Sequence, residues 1–197
     1  MNVKNFFLFL FIIPCFCYSQ ESAIKEYDSN YAFDRAKEFI IDSIIGSPGI
    51  NIKRIYIDGL PGEKYGELTT LYYNGSEKEG IVLGIFDRAT NQFGFSYWKY
   101  IFLNFNKEEA ISFFKTVDGI KDNQRSYLSD KNQENHVYFK MKDITFLLYL
   151  DGGYKIKVFY EGFISDWKGT NFERMRRKFE RRLNQAARGK IGDNIPI

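Results

Sequence analysis

The spacing of apolar residues changes repeatedly along the chain, and this limits the folds open to it. Apolar residues recur at helical intervals over residues 31–45, 106–120 and 171–187. Residues 50–105 and 137–160 instead follow the alternation of β-strands, and turn sequences such as Asn74-Gly75 divide them. Runs of short-linked strands with separate helices are typical of α+β proteins and not of βαβ repeats.

The predicted elements follow the order α-ββββ-α-βββ-α. The stretch at residues 80–86 is apolar on both faces, which predicts a central strand covered on both sides. We therefore expect a mostly antiparallel, curved sheet of about seven strands, with three helices packed on one face. The seven predicted strands cover residues 50–57, 66–73, 80–86, 92–105, 137–141, 144–150 and 154–160.

The amino-terminal residues 1–19 resemble a secretory signal peptide. Lys4 precedes an apolar run at residues 6–16, and small residues favour cleavage before Gln20. We therefore expect an exported protein, periplasmic or secreted, with a single α+β domain over residues 20–197. An uncleaved membrane anchor is the alternative, and the sequence around the two cysteines does not fit a lipoprotein signal.

Signal cleavage would also remove both cysteines of the chain, Cys15 and Cys17. The mature protein would then form no disulfide and would have no thiolate for catalysis or for metal binding. With 44% apolar and 18% aromatic residues among 197, the chain can build a core without such links, and this composition excludes a disordered chain.

Few catalytic arrangements are compatible with this sequence. His136 is the single histidine, which excludes multi-histidine metal sites, and no nucleophile, zinc-protease or phosphate-loop motif is present. We interpret His136 as a surface residue at the start of a strand, and we predict no metal and no cofactor. A carboxylate pair, Glu161 and Asp166, is the alternative and would indicate an envelope glycan hydrolase.

The predicted terminal helix carries the most distinctive polar pattern. From Thr170 onward there are eight basic residues and three acidic ones. At 100° per residue, the binding candidates lie on one side of this helix: Arg174, Arg177, Lys178 and Arg181. This pattern indicates an anion-binding surface, and the alternative is a solvated outer face whose arginine stems cover apolar surface.

A second binding candidate lies in the aromatic segment at residues 92–105. The candidate residues are Tyr97, Trp98 and Tyr100, because amphipathic rings are favoured at interfaces. Large rings occur on both faces of this predicted strand, so that one face would pack on the helices. The other face either meets a further layer or lines a groove for a ligand.

These features favour a non-catalytic binding or interaction domain of a bacterial cell envelope. The Phe, Ile, Lys, Asn and Tyr bias is typical of bacteria with AT-rich genomes. Candidate partners are an envelope protein, an acidic lipid headgroup or a polysaccharide, whereas export argues against nucleic acid. The alternatives are a carboxylate-dependent glycan hydrolase and a structural subunit of an envelope assembly.

Overall fold

The computed structural model describes residues 31–46, 54–64, 67–130 and 133–191. Helix α1 covers residues 31–45 of this part, with a π-helical turn at Ile40–Ile45 that ends at Gly46. This agrees with the predicted helix at residues 31–45. The predicted signal peptide at residues 1–19 lies outside the described residues and stays a prediction.

Four antiparallel strands follow α1 and form the first sheet. They are β1 (Ile55–Leu60), β2 (Leu68–Gly75), β3 (Lys78–Thr90) and β4 (Ser96–Asn106), and they pair in sequence order. Ile81, Val82 and Leu83 of β3 are fully buried, so this strand is covered on both faces as its continuous apolar run predicted.

Helix α2 (Lys107–Asn123) connects the two halves of the fold, and the short α3 (Arg125–Leu128) follows it. The Asn106 side chain accepts a hydrogen bond from the Glu109 amide, and the Glu109 carboxylate accepts one from the Asn106 amide. This capping box explains why the helix begins directly after β4.

A second antiparallel sheet and the last helix complete the fold. The sheet contains β5 (His136–Met141), β6 (Ile144–Leu150), β7 (Tyr154–Tyr160) and β8 (Phe163–Lys168), again in sequence order, and α4 (Gly169–Ala187) follows directly. The predicted terminal helix therefore exists and begins two residues earlier than expected.

Aromatic side chains from both sheets and from two helices share the main core. Phe113 of α2 lies at its centre, with ring centroids 5.8 Å from Phe105 of the first sheet and 4.7 Å from Phe146 of the second. Phe172 and Phe179 of α4 belong to the same cluster. A smaller cluster lies between α1 and the opposite face of the first sheet.

The prediction of one curved seven-stranded sheet with three helices is wrong in its details. The α+β class is confirmed, but the eight strands of the described residues form two separate sheets of four, and α3 is an additional short helix. Strands joined by tight turns pair with their sequence neighbours, and α2 separates the two groups. Strand β8 was missed because buried Ser165 and exposed Ile164 obscure its alternation.

Two predicted turn and strand positions also need correction. Asn74 and Gly75 lie in β2, and the tight turn is formed by the next two residues, Ser76 and Glu77, which have positive φ. Gly75 is needed for a different reason, because a Cβ there would lie 2.7 Å from the Arg54 carbonyl oxygen. The predicted strand at residues 92–105 begins only at Ser96.

Candidate functional site

Helix α4 has an apolar face that fixes its position in the fold. Phe172, Met175 and Phe179 recur at helical spacing and are buried in the main core. Counted around the helix axis, Arg174, Arg177 and Arg181 lie within about 60° of one another and about 180° from this buried face. The fold therefore turns these three arginines toward solvent.

A second group of α4 cations, on the flanks of the helix, is used to hold the helix in place. Nζ of Lys178 lies 3.0 Å from Oδ2 of Asp58, and Nη2 of Arg182 lies 2.7 Å from the same oxygen. On the other flank, Arg176 pairs with Asp118 and with Glu173. These cations attach α4 to β1 and α2.

The ion pairs with Lys178 and Arg182 change the pKa of Asp58. Partial burial by itself raises its pKa, but hydrogen bonds and charge from Lys178 and Arg182 outweigh this effect and lower the pKa below its ordinary value. Lys178 was predicted as a binding residue, and its ion pair with Asp58 instead explains its position structurally.

The outward-facing arginines lack such partners. Within the described part of the chain, no carboxylate lies within 4.0 Å of the guanidinium groups of Arg174, Arg177 or Arg181. Arg177 donates from Nε only to the main-chain oxygen of Glu173, at 3.3 Å. All three side chains are exposed. Their charges remain available to a ligand.

Two hollows lie beside this arginine face. A cleft of about 650 Å³ occupies the space between the first turn of α4, the end of α2 and the β6–β7 turn. A shallower hollow of about 440 Å³ lies toward the carboxyl end of α4, and Arg177 lines both. We call the cations lining the two hollows the basic strip: Lys121, Lys155, Lys168, Arg174, Arg177, Arg181, Arg188 and Lys190.

Few negative charges oppose the basic strip. The carboxylates lining the two hollows are Asp151, Glu173 and Glu180. Asp151 pairs with Lys155, and Glu173 pairs with Lys121. Among the residues that the structure describes, Lys168 and the outward arginines have no carboxylate within 4.0 Å. The strip therefore keeps a net positive charge.

The length of the basic strip limits the ligands that can use all of it. At a rise of about 1.5 Å per residue, the α4 backbone extends about 20 Å from Arg174 to Arg188. A single small anion contacts only one part of such a surface. A polymer or a surface that carries several negative groups can contact its whole length.

The predicted aromatic residues lie elsewhere, on β4 at the edge of the first sheet. The rings of Trp98 and Tyr100 are half-buried and stack on Phe86, with centroids 4.7 Å and 4.6 Å away. Tyr97 lies on the opposite face of β4 and is exposed. The structure thus does not bring this trio together with the arginines of α4.

The predicted carboxylate pair lies on the β7–β8 hairpin. Glu161 has a φ of 48° and forms the two-residue turn with Gly162, which gives it a structural role. Asp166 accepts a hydrogen bond from the Tyr149 hydroxyl at 3.1 Å and lies 3.5 Å from Nζ of Lys157. Both carboxylates are exposed, and at least three strand residues, about 10 Å, separate their backbones.

His136 begins β5 and is exposed, with its ring 5.5 Å from that of Tyr149. Its Nδ1 lies 3.1 Å from the main-chain oxygen of Glu134. In the described ranges, no three His, Cys, Asp or Glu side chains form a group that could hold a metal ion. No helix in these ranges is long and apolar enough to cross a bilayer.

Sequence analysis did not find three of the five cations that line the cleft. Lys121, Lys155 and Lys168 come from α2, β7 and the end of β8, and no spacing rule links positions so far apart in sequence. Only the pairing of β7 with β8, which places Lys155 opposite Lys168, brings two of them together. A prediction of β8 was therefore needed to find this part of the strip.

Comparison with family models, curated proteins and solved structures finds no match to this chain. Its function must therefore be inferred from the chemistry of its own surface.

Proposed function

We propose that this chain is a non-catalytic binding domain of the cell envelope whose basic strip binds an extended, negatively charged ligand. The observation that supports this proposal is the separation of the α4 cations into two groups. Lys178, Arg176 and Arg182 are paired and hold the helix, whereas Arg174 and Arg181 face solvent with no carboxylate within 4.0 Å in the described residues.

This separation favours a binding role over general solvation of the helix. Exposed helix faces usually mix charges of both signs, and such pairs at spacings of three or four residues stabilise the helix. The outward face of α4 instead carries an excess of positive charge beside two hollows, with Glu180 as its exposed acidic residue. Repulsion within such a cluster is relieved when a polyanion binds.

Hydrolysis by a carboxylate pair has less support. A glycosidase places its two carboxyl groups about 5 Å or about 6.5–9.5 Å apart across a substrate. Glu161 forms a turn, and Asp166 interacts with Tyr149 and lies near Lys157 on an exposed strand face. Each residue therefore has a local explanation.

The test uses dextran sulfate, a soluble polyanion that requires no membrane. The variant Arg174→Ser, Arg177→Ser, Arg181→Ser is expected to bind it about tenfold more weakly, because three charge contacts are lost. The matched control is Lys99→Ser, Lys115→Ser, Lys140→Ser. It removes the same charge from exposed positions away from the strip, and we expect its affinity to stay within about twofold.

Equal weakening of both triple variants would contradict the proposal, since binding would then follow net charge and not the strip. The wild-type affinity should also fall as the salt concentration rises from 0.05 M to 0.5 M, because salt screens exposed charges. An affinity that does not depend on salt would equally contradict it.

A further inference from the structure

The β3–β4 hairpin exposes aromatic side chains at its tip. Phe93 is 74% exposed and Phe95 is 71% exposed, and Tyr97 beside them is 46% exposed. Strand β2 pairs with β3 only as far as Ile85, and the amide of Ile164 in β8 still lies 3.3 Å from Oδ2 of Asp87. Beyond Asp87 the hairpin is a two-stranded arm. The fold thus presents two phenylalanine rings at the end of an arm.

Four main-chain amides of this tip donate hydrogen bonds within the tip itself. Oδ1 of Asn91 accepts hydrogen bonds from the amides of Phe93 and Phe95, at 2.9 Å and 3.0 Å. The Asn91 amide donates to the Phe95 carbonyl, and the Gly94 amide donates to the Asn91 carbonyl, both at 3.0 Å. Gly94 has a φ of 82°, a conformation that favours glycine.

Internal hydrogen bonding matters because it makes the tip compatible with a medium that offers few hydrogen bonds. An unsatisfied peptide group is costly in lipid, so each main-chain bond made within the tip reduces the cost of insertion. Water would satisfy these amides equally well. The four bonds around Asn91 therefore lower the cost of moving these amides out of water.

The residue types of the arm change in order from its tip to its base. Residues 89–98 contain no charged side chain, and Arg88 and Lys99 bound this segment. The guanidinium of Arg88 lies 5.2 Å from the Trp98 ring centroid. From the tip inward, the order is phenylalanine, then tyrosine and tryptophan, then charged residues, where Asp87 lies opposite Lys99 in the strand register.

We propose that the tip of this hairpin inserts into the interfacial region of a lipid bilayer. The charge pattern is complementary to a leaflet: the rings of Phe93 and Phe95 meet acyl chains, and the amphipathic Tyr97 and Trp98 lie among headgroups. Arg88 and Lys99 then lie at the level of the phosphates.

The dimensions agree with this placement. Phe95 lies three strand residues beyond Trp98, about 10 Å. The headgroup layer on each side of a bilayer is about 5–7 Å thick. Phenylalanine rings at the tip therefore reach the acyl chains while Trp98 remains near the headgroups. Two inserted rings correspond to weak, reversible binding and not to permanent anchoring.

This surface is separate from the basic strip, and the first test keeps the two apart by using phosphatidylcholine vesicles, which carry no net charge. Trp98 serves as the reporter, since the other tryptophan, Trp167, has 0% exposure in the core. We expect the chain from Gln20 onward, which lacks the apolar predicted signal peptide, to sediment with the vesicles. We also expect the Trp98 emission to shift to shorter wavelength and to be quenched by brominated acyl chains.

The decisive variant is Phe93→Ser, Phe95→Ser. Removing two apolar rings is expected to weaken partitioning at least tenfold, since a tenfold change needs only about 1.4 kcal/mol. The matched control is Tyr138→Ser, which removes a 69% exposed ring from β5, and its partitioning should equal that of the wild type. The variant Trp98→Phe should still sediment but should lose the emission shift.

The role of the flanking cations is tested with vesicles containing one-third phosphatidylglycerol. The measurement uses the Arg174→Ser, Arg177→Ser, Arg181→Ser background, so that the basic strip contributes little. Adding Lys99→Ser is expected to weaken binding about fivefold, because each cation near an anionic leaflet contributes about 1 kcal/mol. No change would contradict the position of Lys99 at the phosphates.

Three further results would overturn the proposal. The first is a wild-type chain that does not sediment with vesicles, which would favour a protein partner for the exposed rings. The second is equal partitioning of the Phe93→Ser, Phe95→Ser variant. The third is quenching of Trp167 emission in the Trp98→Phe variant, which would indicate unfolding on the vesicle. Thermal unfolding of each variant checks that the fold is intact.

Discussion

Arg182 contacts Asp58 through two nitrogen atoms, with Nε 2.8 Å and Nη2 2.7 Å from the same carboxylate oxygen. Lys178 approaches that oxygen as well, at 3.0 Å. One acidic residue of β1 therefore holds two cations of α4, which lies far from it in sequence. This contact orients the helix and turns Arg174, Arg177 and Arg181 outward.

Replacing Asp58 should destabilise the fold without removing the ligand-binding charges. We expect Asp58→Asn to lower the free energy of unfolding by about 1–3 kcal/mol, because two half-buried cations lose their charged partner. Urea denaturation measures this change. The control Asp122→Asn alters an exposed carboxylate at the end of α2 and should have almost no effect, and equal destabilisation would contradict the account.

The contribution of Asp58 should also depend on pH in a defined direction. Its pKa in the folded state is lowered from the ordinary value of 3.8, so the folded state favours the ionised form. The stabilisation is therefore fully present above about pH 4 and is lost as the pH falls through the folded-state pKa. The difference in unfolding free energy between wild type and Asp58→Asn, measured from pH 7 to pH 2.5, should shrink at the acidic end. A constant difference would show that the charge is not responsible.

The capping box fixes the start of α2, the helix that connects the two sheets, and its contribution can be tested by substitution. Asn106→Ala removes the acceptor of the Glu109 amide and should lower stability by about 1 kcal/mol. The matched change Asn123→Ala, at the opposite end of α2, should cost less because no capping box involves it. A larger loss for Asn123→Ala in thermal unfolding would contradict this role of Asn106.

Sequence patterns predicted the individual helices and strands better than they predicted how the strands are divided between sheets. The helical spacing of residues 31–45 was sufficient to predict α1, and the continuous apolar run of β3 was sufficient to predict a strand buried on both faces. Each pattern depends only on residues that are close in sequence. The division into two sheets depends on which strands pair after α2, and apolar spacing alone does not encode this. The same limit applies to the candidate site: helical spacing identified Arg174, Arg177 and Arg181, but not Lys155 or Lys168.

The exposed tip of the β3–β4 hairpin shows a further limit. Phe93 and Phe95 were assigned to a strand, because large aromatic residues are typical of strands and cores. Gly94 interrupts this predicted strand, and in the structure it adopts positive φ in the turn. Asn91, three residues earlier, organises the same turn through its side chain.

A large loss of stability should follow from truncation at the shared core. Phe113 contacts rings of both sheets and of α4, including Phe146 and Phe172 at 4.7 Å and 5.7 Å. We expect Phe113→Ala to lower the free energy of unfolding by about 3–5 kcal/mol. Phe95→Ala removes an equal ring from an exposed site and should change stability by less than about 0.5 kcal/mol. Similar values for both would contradict the position of Phe113 in the core.

The most direct test of the central claim is an NMR titration with dextran sulfate that follows the side-chain Nε–Hε signals of the arginines. The account predicts that the signals of Arg174, Arg177 and Arg181 shift in a saturable manner, while those of Arg176 and Arg182, which pair with Asp118 and Asp58, change little. Uniform small shifts of all arginines, or shifts confined to residues away from the strip such as Arg35 of α1, would contradict a binding role for the basic strip.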